Sequence, residues 1–345
     1  MKKLTSAVAA LALLAGAAAA DQPVVLKAVG TWSSLTNYQK HEGPFFNERL
    51  AEASGGSIVG EIQSQSGLGL KGFEIMRLVK NGVFDFAFGL PGYVAAENAI
   101  FEGADLSSLT QDIDTQRKVS EAYFPTLEKA FAEIYNAKLL MLYPFPSQTL
   151  WCNAEVNSIS DLNGKKIRVY ATTLGDFVEG AGGTSVTVAF SEVIPALEKG
   201  VVDCGITGTM SAYKANWQQV ATHAYTLRVG GGLAFGAMNM DKWNAMSAEQ
   251  QALFQEEIAA LTDRMWAETA TEDDIAISCI TGGDCAIGDK GNMKLVEPSA
   301  DDLAIRDKIA TEVVLARWAE RCGEDCAANW NATVGPILGL TAKAE

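Results

Sequence analysis

Gly67, Gly69 and Gly72 stand at G-x-G-x-x-G spacing in "SGLGLKG", just before a stretch of helical periodicity. Such glycines can turn a strand tightly into a helix whose N-terminus receives a pyrophosphate. A dinucleotide fingerprint also demands an acidic residue about 20 positions on, at the far end of the second strand. Asp85 lies near that distance, but it opens "DFAFG" and so falls at the end away from a ligand. The loop is therefore expected to be a structural turn. Other reactive residue types are scarce. Only His41 and His223 are present, no cysteine pair has C-x-x-C spacing, and no nucleophile motif accompanies either histidine. A Cys/His zinc site and a hydrolase triad are both poorly supplied. "GGDCAIGDKGN" lacks the D-x-D-x-D-G spacing of a calcium loop and reads as a tied surface loop. Neither a cofactor nor a metal is expected.

The N-terminus bears on where the chain works. Lys2 and Lys3 precede an Ala/Leu-rich run from Ala7 to Ala20, and Ala18, Ala19 and Ala20 stand before Asp21. A short positive region, an apolar run and small residues at a cleavage point form a secretory signal peptide. Cleavage after Ala20 would release a soluble protein with no membrane anchor. The 345 residues carry a formal net charge of −15, so nucleic acid is no natural partner.

Six cysteines suit an oxidising compartment. Cys279/Cys285 and Cys322/Cys326 would close short local loops and leave Cys152 and Cys204 as a long-range pair. Sequence alone permits 15 connectivities.

The elements that must position any site emerge when the chain is compared with itself. "EIMRLVKNGVFDFAFG" from Glu74 aligns without gaps on "EVIPALEKGVVDCGITG" from Glu192, so Gly82, Val83 and Asp85 match Gly200, Val201 and Asp203. Each copy is an amphipathic helix ending at a glycine, where a left-handed cap costs least, followed by a buried strand. β-like runs precede both copies, "SIVGEIQ" from Ser57 and "TSVTVAF" from Thr184. Two related α/β lobes follow. Pro125–Leu140 reads as a helix, "LLMLYPF" to Phe145 as a buried strand, and "SISDLNGKKIRVY" as a turn leading into a strand. Ser247 with Gln250 opens a helix running to about Ile277, long enough to bridge two lobes. Asp301–Arg321 is a further helix, closed at Cys322.

"SISDLNGKKIRVY" followed by "VTVAFSEVIPALEKGVVDCGITG" resembles the family of extracytoplasmic solute receptors of tripartite ATP-independent periplasmic (TRAP) transporters, the DctP type. The likeness extends from "GTWSSLTNYQ" at Gly30 to the C-terminal helices. It implies an α/β, two-lobed, periplasmic-binding-protein-like fold with a hinge and a long bridging C-terminal helix. On that plan residues 21–146 form the first lobe with parts of about 230–270. Residues 147–229 form the second with parts of about 271–325, and 326–345 are a C-terminal segment.

The resemblance also places the family's ligand-clamping arginine on Arg168. A guanidinium offers a carboxylate two parallel hydrogen bonds and keeps its charge at any working pH. Two departures bear on the ligand. A second arginine common in the family is replaced near Gln148, and Thr207 stands where an asparagine is usual. Trp32, Phe88, Tyr93, Phe145, Trp151, Tyr170 and Phe190 fall in or beside cleft segments, and Gly89 ends the first repeat strand opposite Thr207. Thr207, Thr209, Asn37 and Gln148 offer polar contacts, or else are satisfied hinge groups, while Tyr213 and Trp217 read as packing. The set favours a monocarboxylate with an apolar or aromatic body over a small dicarboxylate. The implied function is periplasmic capture of an organic acid by a monomeric receptor, without catalysis, for small and large membrane subunits driven by sodium. A sensory receptor feeding a kinase or chemoreceptor would look the same in sequence, and an exported enzyme acting on a carboxylic acid is the third reading.

Overall fold

The computed structural model describes residues 23–344, so the expected signal peptide, 1–20, lies outside the described residues. Among the described residues eleven strands form two sheets. The first has the order β2-β1-β3-β10-β4, built from β1 (Val24–Gly30), β2 (Ile58–Ser64), β3 (Phe86–Gly89), β4 (Ala137–Pro144) and β10 (Leu233–Asn239). The second has the order β11-β9-β5-β8-β6-β7, from β5 (Gln148–Cys152), β6 (Lys166–Val169), β7 (Thr184–Thr187), β8 (Cys204–Gly208), β9 (His223–Gly230) and β11 (Lys294–Val296). β1 pairs in parallel with β2 and β3, and β6 does the same with β7 and β8. The internal repeat is thus one strand-helix-strand-helix-strand unit used twice.

The residues shared by the two copies do the same structural work in each. The helices Ile75–Lys80 and Val193–Glu198 run out at Gly82 (φ 69°) and Gly200 (φ 65°). Asp85 accepts a hydrogen bond from the Lys27 amide at 2.8 Å, and Asp203 accepts one from the Lys166 amide at 2.8 Å. Each aspartate pins the start of its strand to the neighbouring one. This accounts for Asp85 without a nucleotide.

Three passages join the lobes close to the site. Residues 145–147 lead from β4 to β5, and 231–232 lead back from β9 to β10. The third is the helix Ala248–Ile280, opened by the expected capping box of Ser247 and Gln250. Its first half packs Phe254 on Phe45 of the first lobe, at 6.0 Å between ring centroids. Further along, Asp273 accepts from the Ser147 amide at 3.0 Å and from the Thr209 hydroxyl at 2.5 Å. The C-terminal helices also touch both lobes. Trp318 and Trp330 donate to the carbonyls of Ala99 and Gly103, each at 2.8 Å, while Arg321 pairs with Asp176 at 2.6 Å.

One expected helix is displaced. Pro125 does not begin it: the helix is Ile113–Tyr135, capped by Asp112 accepting from the Thr115 amide at 2.8 Å, with Pro125 in its interior. It stops well before Leu140 because Asn136 turns left-handed (φ 48°), and the apolar residues after it belong to β4. The three disulfides join Cys152 to Cys204, Cys279 to Cys285 and Cys322 to Cys326.

Candidate functional site

In an open α/β sheet, loops leaving the carboxyl ends of the strands enclose the ligand crevice. Here those ends face each other across the hinge. Trp32 follows β1, Leu90 follows β3, Phe145 follows β4, Tyr170 follows β6 and Phe190 follows β7, with Arg168 inside β6 and Thr207 inside β8. With Leu35, Tyr93, Gln148 and Ser211, all seven line one interlobe cavity of about 20 Å³. That is room for about one water molecule. Tyr93 and Tyr170 also line a broader outer cleft of about 460 Å³, which holds Asp176 and Glu179. Acids on that wall suit it poorly to an anion.

Arg168 is fully buried. Its Nε donates to the Val188 carbonyl and its Nη1 to the Ile206 carbonyl, both at 2.8 Å, while Nη2 is buried without a partner. Among the described residues no carboxylate forms a salt bridge with it, and Asp161 caps its own turn instead. The guanidinium lies over the Tyr170 ring at 5.4 Å and the Trp217 ring at 5.9 Å. Burial lowers its pKa, and neighbouring Tyr93 and Tyr170 oppose that change. Burial raises the pKa of both phenols, so they stay neutral. Two backbone carbonyls thus fix the fork, and the Tyr93 hydroxyl is the polar side-chain neighbour of what remains of it.

The first lobe supplies the opposite wall. Trp32 is 4% exposed and contacts the rings of Tyr93, Phe145 and Phe190, at centroid distances of 6.0, 6.3 and 4.9 Å. Its loop is held from behind by Glu42, which accepts from the Thr31 amide at 2.6 Å and from the Tyr143 hydroxyl at 2.9 Å. Burial pushes the Glu42 pKa up to about 7.

The remaining expected residues divide. Gln148 lines the cavity and donates to the Pro146 carbonyl at 2.9 Å. Gly89 is tucked against Phe235, whose ring would lie 2.7 Å from an added Cβ, and its neighbour Leu90 faces the cavity. Thr209 is engaged with Asp273 at the hinge. Phe88 is core, packed on Phe46, Phe86 and Tyr143, and Trp151 donates to the Thr207 carbonyl at 3.2 Å. Asn37 is buried in a helical turn, and Tyr213 donates to the Asp289 carbonyl at 3.0 Å. Sequence reasoning missed Glu42 and the part of Trp217, which stacks on Phe190 at 5.7 Å beneath the arginine. Their only signal was an acid and an aromatic in otherwise ordinary helical turns. The glycine loop is structural: Gly72 passes so close to Tyr93 that an added Cβ would lie 2.4 Å from its ring. Among the described residues there is no cluster of three metal-ligating side chains, and no helix long and apolar enough to cross a membrane.

A family model described as DctP, bacterial extracellular solute-binding protein, family 7, matches residues 29–308. The C4-dicarboxylate-binding periplasmic protein DctP of Rhodobacter capsulatus is 24% identical over 337 residues, covering 97% of this chain and 96% of that protein. In structure the chain is similar to DctP7 of Bordetella pertussis, an extracytoplasmic solute receptor binding pyroglutamic acid. The TM-score is 0.79 at 19% identity, with 90% of this chain and 99% of that chain covered. It is also similar to a TRAP periplasmic solute binding protein of Desulfovibrio salexigens with bound orotic acid. There the TM-score is 0.80 at 16% identity, with 91% and 99% covered.

Proposed function

The chain belongs to the DctP family of bacterial extracellular solute-binding proteins, family 7, and from that premise we propose that it captures a monocarboxylic acid for a TRAP transporter. The ligand's carboxylate pairs with Arg168, its apolar or aromatic body lies among the rings of Trp32, Phe145, Tyr170 and Phe190, and the lobes close over it. The loaded receptor, exported by its leader and working in the periplasm as a monomer, then meets the small and large membrane subunits for sodium-driven uptake.

The observation that carries this reading is the buried, unpartnered Nη2 of Arg168. A buried donor without an acceptor is costly, and a carboxylate relieves it with a charge-assisted bond. Among the described residues lining the cavity, Arg168 is the only charged one. A second carboxylate would be desolvated against aromatic rings with no cation to meet it. Relatives bind pyroglutamic and orotic acids in some cases and succinate or C4-dicarboxylates in others, so the preference for one carboxylate rests on the single cation of this cavity.

The test is calorimetric titration of organic acids and their carboxamides into wild type and Arg168→Lys. Acids should bind and amides should not, and the lysine, lacking the planar fork, should lose roughly 2–5 kcal/mol, about 30-fold to several thousand-fold in Kd. Equal binding of acid and amide, or an unaffected lysine variant, would refute the clamp.

A further inference from the structure

The cavity holds a second buried donor without an acceptor, and it lies on the other lobe. Trp32 lines the same space as Arg168, and its Nε1 is buried with no partner. Indole N–H is a donor only, and a buried tryptophan ordinarily finds an acceptor for it. Four other tryptophans follow that rule. Trp266, Trp318 and Trp330 donate to backbone carbonyls at 3.0, 2.8 and 2.8 Å, and Trp151 does so at 3.2 Å. Trp32 departs from the rule in a cavity lined by both lobes.

Local packing does not let the indole escape. The rings of Tyr93, Phe145 and Phe190 surround it, and Glu42 fixes the loop that carries it through the Thr31 amide and hydroxyl. Glu42 is itself engaged with Thr31 and Tyr143. Gln148, the amide in the cavity, is tied to the Pro146 carbonyl through its Nε2.

We infer that Trp32 Nε1 is a second anchor for the ligand, and that the ligand is a monocarboxylate carrying a neutral acceptor oxygen, a carbonyl or hydroxyl, beside its apolar body. This rests on the proposed pairing of the carboxylate with Arg168. The two anchors belong to different lobes, so an acid with both groups ties the lobes together, whereas an acid with the carboxylate alone satisfies only the second lobe. Discrimination follows from that asymmetry. A site built to hydrogen-bond an oxygen rejects the analogue lacking it, because closure then buries the indole N–H unpaired.

Two matched pairs of probes test the inference by calorimetry: phenylpyruvate against 3-phenylpropionate, and pyroglutamate against cyclopentanecarboxylate. Wild type should prefer the oxygen-bearing member of at least one pair by tenfold or more. Trp32→Phe, which keeps a ring and loses the donor, should bring that ratio close to one. Arg168→Lys should weaken both members of the pair alike. Wild type that binds both members equally, or a Trp32→Phe variant that keeps the preference, overturns the second anchor while leaving the clamp in place. Undiminished binding by Arg168→Lys overturns the clamp instead. If neither pair binds wild type at millimolar concentration, the ligand class inferred here is wrong.

Discussion

Trp32 of the first lobe and Phe190 of the second meet with ring centroids 4.9 Å apart and planes at 55°, closing the space beside Arg168. The cavity they leave, about 20 Å³, has room for about one water molecule and not for an organic acid. Ligand entry therefore requires the lobes to part or these rings to turn. An aromatic pair of this kind contributes about 0.5–1.5 kcal/mol, enough to shift an equilibrium between open and closed forms several-fold. Phe190→Ala should open the free protein, raising its radius of gyration in small-angle scattering, and should weaken ligand binding in proportion. Saturating ligand should bring wild type to its most compact form. A radius indifferent to both ligand and substitution would rule out closure.

The glycine loop offers a second test, because its glycines differ in what surrounds them. At Gly72 an added Cβ would lie 2.4 Å from the Tyr93 ring, and Tyr93 lines the cavity. At Gly69 nothing lies within 4 Å. Gly72→Ala should push Tyr93 inward, costing about 1–3 kcal/mol of stability and weakening ligand binding tenfold or more. Gly69→Ala should cost about 1–2 kcal/mol through its left-handed backbone alone and leave affinity unchanged. Titration and chemical denaturation of both variants distinguish a loop that shapes the ligand cavity from a loop that binds a nucleotide, where neither pattern is expected.

Much of this arrangement was legible in the sequence because the repeat is gapless and its letters are structural. Gly82 with Gly200, and Asp85 with Asp203, do the same work in both lobes. The helix from Ser247 announced itself by its capping box. The helix start at Pro125 misled because proline is common in the first turn of helices, while here Asp112 caps the helix a dozen residues earlier. In the site, the aromatic count was visible, but which rings face the cavity depends on strand register. Phe88 points into the first lobe's core from β3, and Phe145 escapes that fate by lying just beyond β4. Glu42 was hidden because its partners, Thr31 and Tyr143, come from the ends of two strands distant in sequence.

The disulfide between Cys152 and Cys204 should matter more than the other two. It joins directly opposed residues of β5 and β8, the strands that bring Gln148 and Thr207 to the cavity, and spans a separation of 52 residues. The others span 6 and 4. Loop-closure entropy grows with the length closed, and losing a long bridge typically costs about 2–5 kcal/mol. Paired Cys152→Ala and Cys204→Ala substitutions should lower the unfolding free energy by that amount and weaken ligand binding. Removal of the Cys322–Cys326 bridge should do less to stability and nothing to affinity. Equal effects from both would mean that the long bridge does not organise the second lobe.

Stability should fall as pH rises from about 5 to 8. Glu42, Glu102 and Glu272 are each raised to about 7, in every case first by burial, above an ordinary value of 4.5. Below 4.5 these groups are protonated in both folded and unfolded chains, so their contribution to stability is fully present there. Between 4.5 and 7 the folded protein holds protons that the unfolded chain has released, and stability declines with pH at a slope set by that difference. Above about 7 the carboxylates ionise inside the protein and the contribution is gone. Asp112 acts in the opposite sense: the Thr115 amide holds its pKa below the usual range, so its contribution is lost in strong acid. The optimum should accordingly lie in mild acid. Glu42→Gln, which imitates the protonated form behind the Trp32 loop, should match wild type near pH 5, exceed it at pH 8 and flatten the profile between. Urea denaturation of both proteins from pH 4.5 to 8.5 measures this directly, and a wild-type profile that is level or rising across that range would show that the three buried glutamates do not carry protons into the folded state.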